Sequence, residues 1–259
     1  MSNKVGDFFV SFFCKKRIAG QIYLNVNVLS GSELCFRIEA AQATVEWGDG
    51  TISQKSNLIE PFSHKYEKTG VYRLQVKGTN ITDIDIPRSN VVALDVSQCP
   101  TLEFIDCSDN QITELDLRNC RGLYEVYCAK NRIRELKLSK YRKLFYLSCS
   151  CNELTALDLS GCRKLVTFRC RKNHLSELDF RKCRRLVSIN VEQNDFTYRG
   201  TMNLVASLVK RSRYDTGFIV LQHDSGEQEI QRKELTNLIA GRGWCEIKAG
   251  IFIISQCYS

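Results

Sequence analysis

The chain is poor in proline, with 3 among 259 residues, and 43% of it is hydrophobic, the composition of a soluble globular protein. No apolar run approaches the ~20 residues that cross a bilayer as a helix. No secretory signal is legible either: the short apolar stretch from Phe8 to Cys14 is preceded by Asp7, followed by Lys15-Lys16-Arg17, and has no small-residue cleavage site. An export signal is therefore absent from this chain or was removed from it, and the thiols discussed below lean toward a reducing compartment. Catalytic signatures are missing too. There is no GxSxG, HExxH, Walker loop or GxGxxG, and His64, His174 and His223 have no serine or cysteine partner at a recognisable spacing. Together these absences argue against an enzyme and call for no cofactor and no metal. A net charge of +8 is modest at this length and does not by itself imply nucleic acid. The length has room for one large domain or two ordinary ones.

What is present is a repeat of 21 residues: Asn110, Asn131, Asn152, Asn173 and Asn194 recur at that interval. So do Leu102, Leu123, Leu144, Leu165 and Leu186, and Cys99, Cys120, Cys162 and Cys183, with Tyr141 in the remaining cysteine slot. A fixed period in this range marks a solenoid, whose units bury their apolar faces only by stacking on neighbours. Inward leucine-type residues come from a short strand and from a return segment. The asparagine sits where the chain turns, and its amide can bond unpaired backbone groups of neighbouring rungs. A period this short leaves room for an extended return segment and not for a full helix. The outer wall is therefore expected to be short strands such as Leu115 to Leu117 and Leu157 to Leu159.

Eight of the 13 cysteines fall in two repeat columns: Cys99, Cys120, Cys162 and Cys183, and Cys107, Cys128, Cys149 and Cys170. One rung is ~4.8 Å in a stacked ladder, and small apolar residues suit interior columns so closely spaced. Buried free thiols are the expectation, with disulfides or a metal as lesser alternatives, since zinc prefers a CxxC knuckle and the one close pair, Cys149 and Cys151, is CxC. Cys151 shares its column with Asp109, Lys130, Lys172 and Gln193 and is the most plausible exposed, reactive thiol.

Residues 1–80 carry no repeat. Strand-like runs occur at Phe8 to Phe13, Gln21 to Leu29, Leu34 to Ile38, Gln42 to Trp47 and Gly70 to Val76, with a tight turn at Gly48-Asp49-Gly50-Thr51. Such spacing predicts a β-sandwich. Trp47-Gly48-Asp49-Gly50-Thr51, His64-x-Tyr66 and Gly70-x-Tyr72-x-Leu74-x-Val76 resemble the signature of PKD-like immunoglobulin-type modules. The resemblance implies that Asp49 and the tyrosines fix a hairpin and a core; the alternative is Asp49 as metal ligand or catalytic acid.

Residues 81–196 form the array, and 197–259 break its period. The unit Leu102, Ile105, Cys107, Asn110, Ile112, Leu115, Leu117 resembles a leucine-rich repeat, and Leu157 to Cys162 resembles the short bacterial, internalin-like subclass. Ile81, Ile84 and Ile86 match the first half of a unit one period earlier. Beyond the array, Met202 to Val209 predicts a helix, Gly217 to Leu221 a strand, Leu235 to Gly241 a second helix and Trp244 to Ile254 a strand. This is an α/β cap over the last rung, and it resembles the tail that follows such arrays in related bacterial proteins. The fold class expected is mainly β with some α.

Register places Phe104, Tyr127 and Tyr146 on the outward face of the inner sheet, with Arg169 and Arg171 further along it. Aromatic and arginine side chains dominate interface hot spots, so a protein partner is expected there. The competing reading is ordinary cross-strand pairing. Charge is also sorted by column. The turn windows 118–122, 139–143, 160–164 and 181–185 hold no acidic residue but Arg118, Arg121, Lys140, Arg142, Lys143, Arg163, Lys164, Arg181, Lys182, Arg184 and Arg185. Asp95, Glu114, Asp116, Glu135, Asp158, Glu177 and Asp179 line the return strand beside them. Either cross-rung ion pairs neutralise the two stripes, or the ridge binds a polyanion or glycan. A structural spacer is a third reading. The resemblances imply a bacterial cell-surface or adhesion setting.

Overall fold

The computed structural model describes residues 18–56, 60–212, 215–221 and 229–246. The expected run Phe8 to Phe13 and the end of the last expected strand lie outside them. Six strands come first: β1 (Ala19–Val28), β2 (Glu33–Glu39), β3 (Gln42–Glu46), β4 (Ile52–Lys55), β5 (Phe62–Lys65) and β6 (Gly70–Thr79). Each of the first three alternates buried and outward residues, for instance Ile22, Leu24, Val26 and Val28 inward on β1, the two-residue period of a half-buried strand. β7 (Asp83–Asp85) and β8 (Val91–Gln98) follow, then five three-residue rungs: β9 (Phe104–Asp106), β10 (Glu125–Tyr127), β11 (Tyr146–Ser148), β12 (Thr167–Arg169) and β13 (Ser188–Asn190). The chain continues with α1 (Tyr198–Ser207), β14 (Gly217–Val220), α2 (Glu229–Gly241) and β15 (Trp244–Glu246).

These strands make two sheets. One has the order β4-β3-β6-β1-β8, and the other runs through ten strands, β15-β14-β13-β12-β11-β10-β9-β7-β2-β5. From β7 to β15 every pairing in the second sheet is parallel. At its other end β2 joins antiparallel, Ile38 opposite Ile84. The sheets touch through Phe36 on β2, whose ring lies 5.6 Å from Trp47, the residue after β3; Phe62, opposite Phe36 on β5 of the same sheet, lies 6.0 Å from it. β8 follows the first solenoid strand in the chain yet pairs with β1, Leu94 opposite Leu24. The array is thus hydrogen-bonded to the N-terminal strands on both sides of its first turn.

The 21-residue period is the rung of a parallel β-solenoid. Ile105, Val126, Leu147, Phe168 and Ile189 point inward from successive strands and are buried, as are the repeat leucines; each such side chain contributes roughly 1.5–3 kcal/mol by leaving water. The asparagines close the turns. Asn131 donates from Nδ2 to the carbonyls of Cys107 (2.9 Å) and Cys128 (3.1 Å), while its Oδ1 accepts from the Ile112 amide at 2.9 Å. Asn152 repeats this one rung on. Both are buried, so they satisfy backbone groups that water cannot reach.

Three expectations need correction. The outer wall at Leu115 to Leu117 and Leu157 to Leu159 is extended chain without strand pairing. Backbone bonds between these return segments are seen at their start, as Arg132 N to Ile112 O (2.9 Å) and Glu153 N to Ile133 O (2.9 Å). After that, Asp116, Asp158 and Asp179 accept the amide two residues on, from Arg118, Ser160 and Arg181. These Asx turns end the return segments. The helix expected at Met202 to Val209 begins earlier, at Tyr198, because Thr197 caps it by accepting from Gly200 N at 3.1 Å. Finally, the two charge stripes do not neutralise each other across rungs. Arg118 and Arg181 pair with Asp116 and Asp179 of their own rung. The cross-rung pairs are elsewhere: Lys130 with Asp109, Arg134 with Glu153 and Arg171 with Glu192.

Candidate functional site

The outward face of the ten-stranded sheet carries two columns set by strand pairing. In one, Asp83, Phe104, Glu125, Tyr146, Thr167, Ser188 and Phe218 lie side by side; in the other, Asp85, Asp106, Tyr127, Ser148, Arg169, Asn190 and Val220 do. Tyr127 therefore sits diagonally between Phe104 and Tyr146, within the reach of aromatic side chains. Its ring centre is 5.6 Å from that of Phe104 and 4.6 Å from that of Tyr146, stacked on the latter at 22°. Arg169 extends the row, its guanidinium 5.8 Å from the Tyr146 ring centre. The three rings are half-buried, and Arg169 and Arg171 are exposed.

Polar contacts hold this row in place. Tyr127 donates from Oη to Glu125 Oε2 at 2.9 Å. Burial, and that bond to a carboxylate, raise the Tyr127 phenol above its ordinary value, so it stays a donor. Arg171 lies 3.6 Å from Glu192, an ion pair one rung on. The N-terminal end of the face is acidic. Burial raises the Asp85 carboxyl, the adjacent Asp106 adds to this, and Arg37 across β2 opposes it. The face thus grades from carboxylates at Asp83, Asp85 and Asp106, through an aromatic middle, to arginines at Arg169 and Arg171. All five side chains expected on this face lie on it, and four form one continuous contact row. Arg171 stands apart from the row.

Two further groups escaped sequence reasoning. Phe218, 40% exposed, joins the Phe104 column because β14 adds as a further parallel strand; a pattern search limited to the 21-residue period does not reach it. Tyr124, 44% exposed, stacks on Phe145 at 5.0 Å and 11° where the turn enters the strand. Their equal spacing with Val166 and Val187 was a signal available in the sequence.

The turn ridge is built as its columns predict. All eleven basic residues, from Arg118 to Arg185, are exposed. Beneath them, Cys120, Cys162 and Cys183 donate from Sγ to the carbonyls of Val96 (3.4 Å), Leu138 (3.5 Å) and Leu159 (3.5 Å) on the preceding rung. The Tyr141 hydroxyl does the same to Leu117 O. The eight column cysteines are free thiols and are buried. Burial pushes the thiols of Cys99, Cys120 and Cys183 up to about 12, so their thiolates, the reactive and metal-binding form, are disfavoured. Cys151 is partly exposed. An open groove of about 880 Å³ borders the ridge, lined by residues of both signs, among them Arg121, Lys140, Asp116 and Asp158.

Around Asp49 the arrangement is that of a braced turn. His64 Nε2 lies 2.6 Å from Asp49 Oδ2, and Asp49 Oδ1 accepts from the Thr51 amide and hydroxyl. Burial raises the Asp49 carboxyl, but these bonds and the His64 charge outweigh it and hold the carboxyl down at about 2. Both Asp49 and the more distant Thr51 hydroxyl (3.4 Å) face the same imidazole nitrogen, so no relay runs through the ring. The His64 ring is packed between Trp47 (4.9 Å) and Tyr66 (4.5 Å). Gly48, at φ 83°, passes so close to Arg73 that a Cβ would lie 2.6 Å from its carbonyl oxygen. His174 pairs with Asp195 at 3.3 Å, and His223 lies outside the described residues. Among the described residues no group of three or more His, Cys, Asp and Glu side chains could hold a metal ion, and no helix is long and apolar enough to cross a membrane.

No family model matches the chain, and no curated protein does. Among solved structures, it is similar to the functional domain of InlJ from Listeria monocytogenes, which includes a cysteine ladder, at 34% identity and TM-score 0.44 over 44% of this chain and 26% of that one. It is similar to a leucine-rich repeat protein of Leptospira interrogans at 22% identity and TM-score 0.48, over 50% and 36% of the two chains. It is also similar to internalin C2 of Listeria monocytogenes at 24% identity and TM-score 0.38, over 39% and 47%. The chain thus covers less than half of each of these structures. They are leucine-rich repeat proteins.

Proposed function

We propose that this protein binds a protein partner through the outward face of its long sheet and is not an enzyme. The observation that carries the reading is the continuous row Phe104, Tyr127, Tyr146 and Arg169, half-buried rings ending in an exposed guanidinium. Rings already stacked on one another have little side-chain freedom left to lose on binding, and large amphipathic side chains fixed in advance make efficient anchors. The charge gradient from Asp85 and Asp106 to Arg169 and Arg171 would orient a partner of opposite gradient and speed its approach. The same stacking also stabilises the sheet, and the experiment separates the two roles. Tyr127→Ala with Tyr146→Ala should abolish capture of the partner by the immobilised full chain, while the chain still melts cooperatively at a somewhat lower temperature. Capture that survives both substitutions would sink the proposal.

A cell-surface or adhesion role, with the N-terminal strands as a PKD-like module, belongs to the same proposal and rests on the residue resemblances at Trp47 to Thr51 and Leu157 to Cys162. Removal of the intact protein by protease added outside native cells would support it. A protected, cytosolic pool would overturn it.

A further inference from the structure

The turn ridge carries a straight row of four arginines, Arg121, Arg142, Arg163 and Arg184, one per rung. The strands that follow them pair in register, so neighbours in the row are ~4.8 Å apart and the row is roughly 14 Å long. Each arginine sits in the same tight turn. The Leu123 amide donates to Cys120 O, Leu144 to Tyr141 O, Leu165 to Cys162 O and Leu186 to Cys183 O. Lys143, Lys164 and Arg185 stand next to them in sequence. Like charges this close oppose folding, and a row with only a structural role would be expected to carry counter-charges. Arg118 and Arg181 have them, in Asp116 and Asp179. The four row arginines have no ion-pair partner among the described residues.

A second feature runs parallel to the row. Three residues after each arginine come Tyr124, Phe145, Val166 and Val187. Their amides bond rung to rung, Phe145 N to Tyr124 O, Val166 N to Phe145 O and Val187 N to Val166 O, each 2.8 Å. The result is an apolar strip and a cation row carried on one hydrogen-bonded backbone. On the other side lies the stripe of Asp116, Asp158 and Asp179.

We infer that this edge is a binding site for a linear acidic polysaccharide, with the row taking sulfate or carboxylate groups and the exposed edges of the Tyr124–Phe145 strip packing against C–H groups of the sugars. The geometry favours a linear polymer over a flat anionic surface. The row is a single line roughly 14 Å long, which suits one polymer strand better than a plane of headgroups. Single-stranded nucleic acid fits less well, because it needs splayed aromatic platforms. Here Tyr124 and Phe145 are stacked on each other, and the ring within the turns, Tyr141, is buried. This site is separate from the sheet face proposed above and stands or falls without it.

The test uses the full chain and a size-defined fluorescent heparin oligosaccharide, with Kd measured between 50 and 200 mM salt, the range over which polyanion contacts weaken steeply. One variant carries Arg121→Gln, Arg142→Gln, Arg163→Gln and Arg184→Gln. A control removes the same charge elsewhere, as Arg132→Gln, Lys172→Gln, Arg199→Gln and Lys210→Gln. The row variant should lose about tenfold or more in affinity, and its slope of log affinity against log salt should fall by about 3, roughly 0.7 per lost contact. The control should keep both. Removing like charges should leave the melting temperature of the row variant unchanged or higher; if it melts lower, Arg142→Gln with Arg163→Gln carries the test, with about half the loss of slope. Equal losses in row variant and control, or no heparin binding by the native chain, would overturn the inference. So would tighter binding of oligo(dT) or of phosphatidylserine vesicles through the same arginines.

Discussion

Tyr141 stands in a cysteine column because both side chains deliver a proton to the same kind of acceptor. Each rung leaves one carbonyl facing the column on the rung above: Val96, Leu117, Leu138 and Leu159. A thiol is a weak donor small enough to fit there, and the phenol of Tyr141 is a stronger one. Tyr141→Phe keeps the ring and removes only the donor, so Leu117 O would keep the Cys120 amide (2.8 Å) and lose its second bond. The expected loss is about 0.5–1.5 kcal/mol in urea unfolding with an unchanged m-value; no change would mean that the amide bond alone satisfies the carbonyl. Asp49 makes the second prediction at this scale. Its folded carboxyl is held at about 2 against an ordinary 3.8, so the unfolded chain binds the proton more readily. The stabilisation is then complete above the ordinary value and is lost as pH falls toward 2. Asp49→Asn should therefore be less stable than the native chain at pH 6, with the gap closing as pH approaches 2 in parallel denaturant titrations. A gap that persists at pH 2 would assign the effect to something other than the carboxylate.

At the scale of the rung, one position in every turn adopts a left-handed backbone without glycine. Asp109, Lys130, Cys151, Lys172 and Gln193 have φ between 53° and 58°, each just before the ladder asparagine. A Cβ in this region costs ~1–2 kcal/mol, which the asparagine bonds and the rung stacking outweigh. Lys172→Gly removes the Cβ at an exposed position and should raise stability by about 0.5–1 kcal/mol after the entropy that glycine adds to the unfolded chain. A lower midpoint in the same urea titration would show that the lysine stem matters more than its backbone strain. The rungs themselves were legible because their inward residues recur without a slip. The missing outer strands were not, since Leu115 and Leu117 alternate like a strand in sequence. In the packed chain this segment does not pair as a strand with its neighbours, and Asp116 forms the turn that ends it. The aspartates read as half of an ion-pair stripe are first of all turn formers.

Across the whole molecule the array has no free first rung. β2 pairs with β7, and β8 with β1, so N-terminal strands close both the inner sheet and the first return segment. A chain that begins at residue 81, where the repeat begins, would present β7 and β8 as unpaired edges beside the buried Ile84, Ile86, Val91 and Val96. Exposed apolar edges of this kind associate. That fragment should be insoluble or aggregated by size-exclusion chromatography; a monodisperse, cooperatively melting fragment would show that the array stands alone. At the far end β14 and β15 extend the same sheet. Gly243, at φ 72°, lets the chain pass Arg211, whose carbonyl oxygen would lie 2.5 Å from an added Cβ.

The sequence by itself determined the rung. Period, inward column, asparagine ladder and outward register all follow from local alternation repeated at a constant interval, and the outward residues Phe104, Tyr127, Tyr146, Arg169 and Arg171 came with them. Tertiary structure decided whatever depends on a neighbour outside the period. It joined the N-terminal strands to the array through one sheet, and it added Phe218 to the outward face. It also left the row arginines without carboxylates while pairing Arg118 and Arg181 with their own. The physical reason is that a column of like residues fixes which side chains share a face, whereas hydrogen-bond and charge partners are chosen by distances that only the packed chain sets.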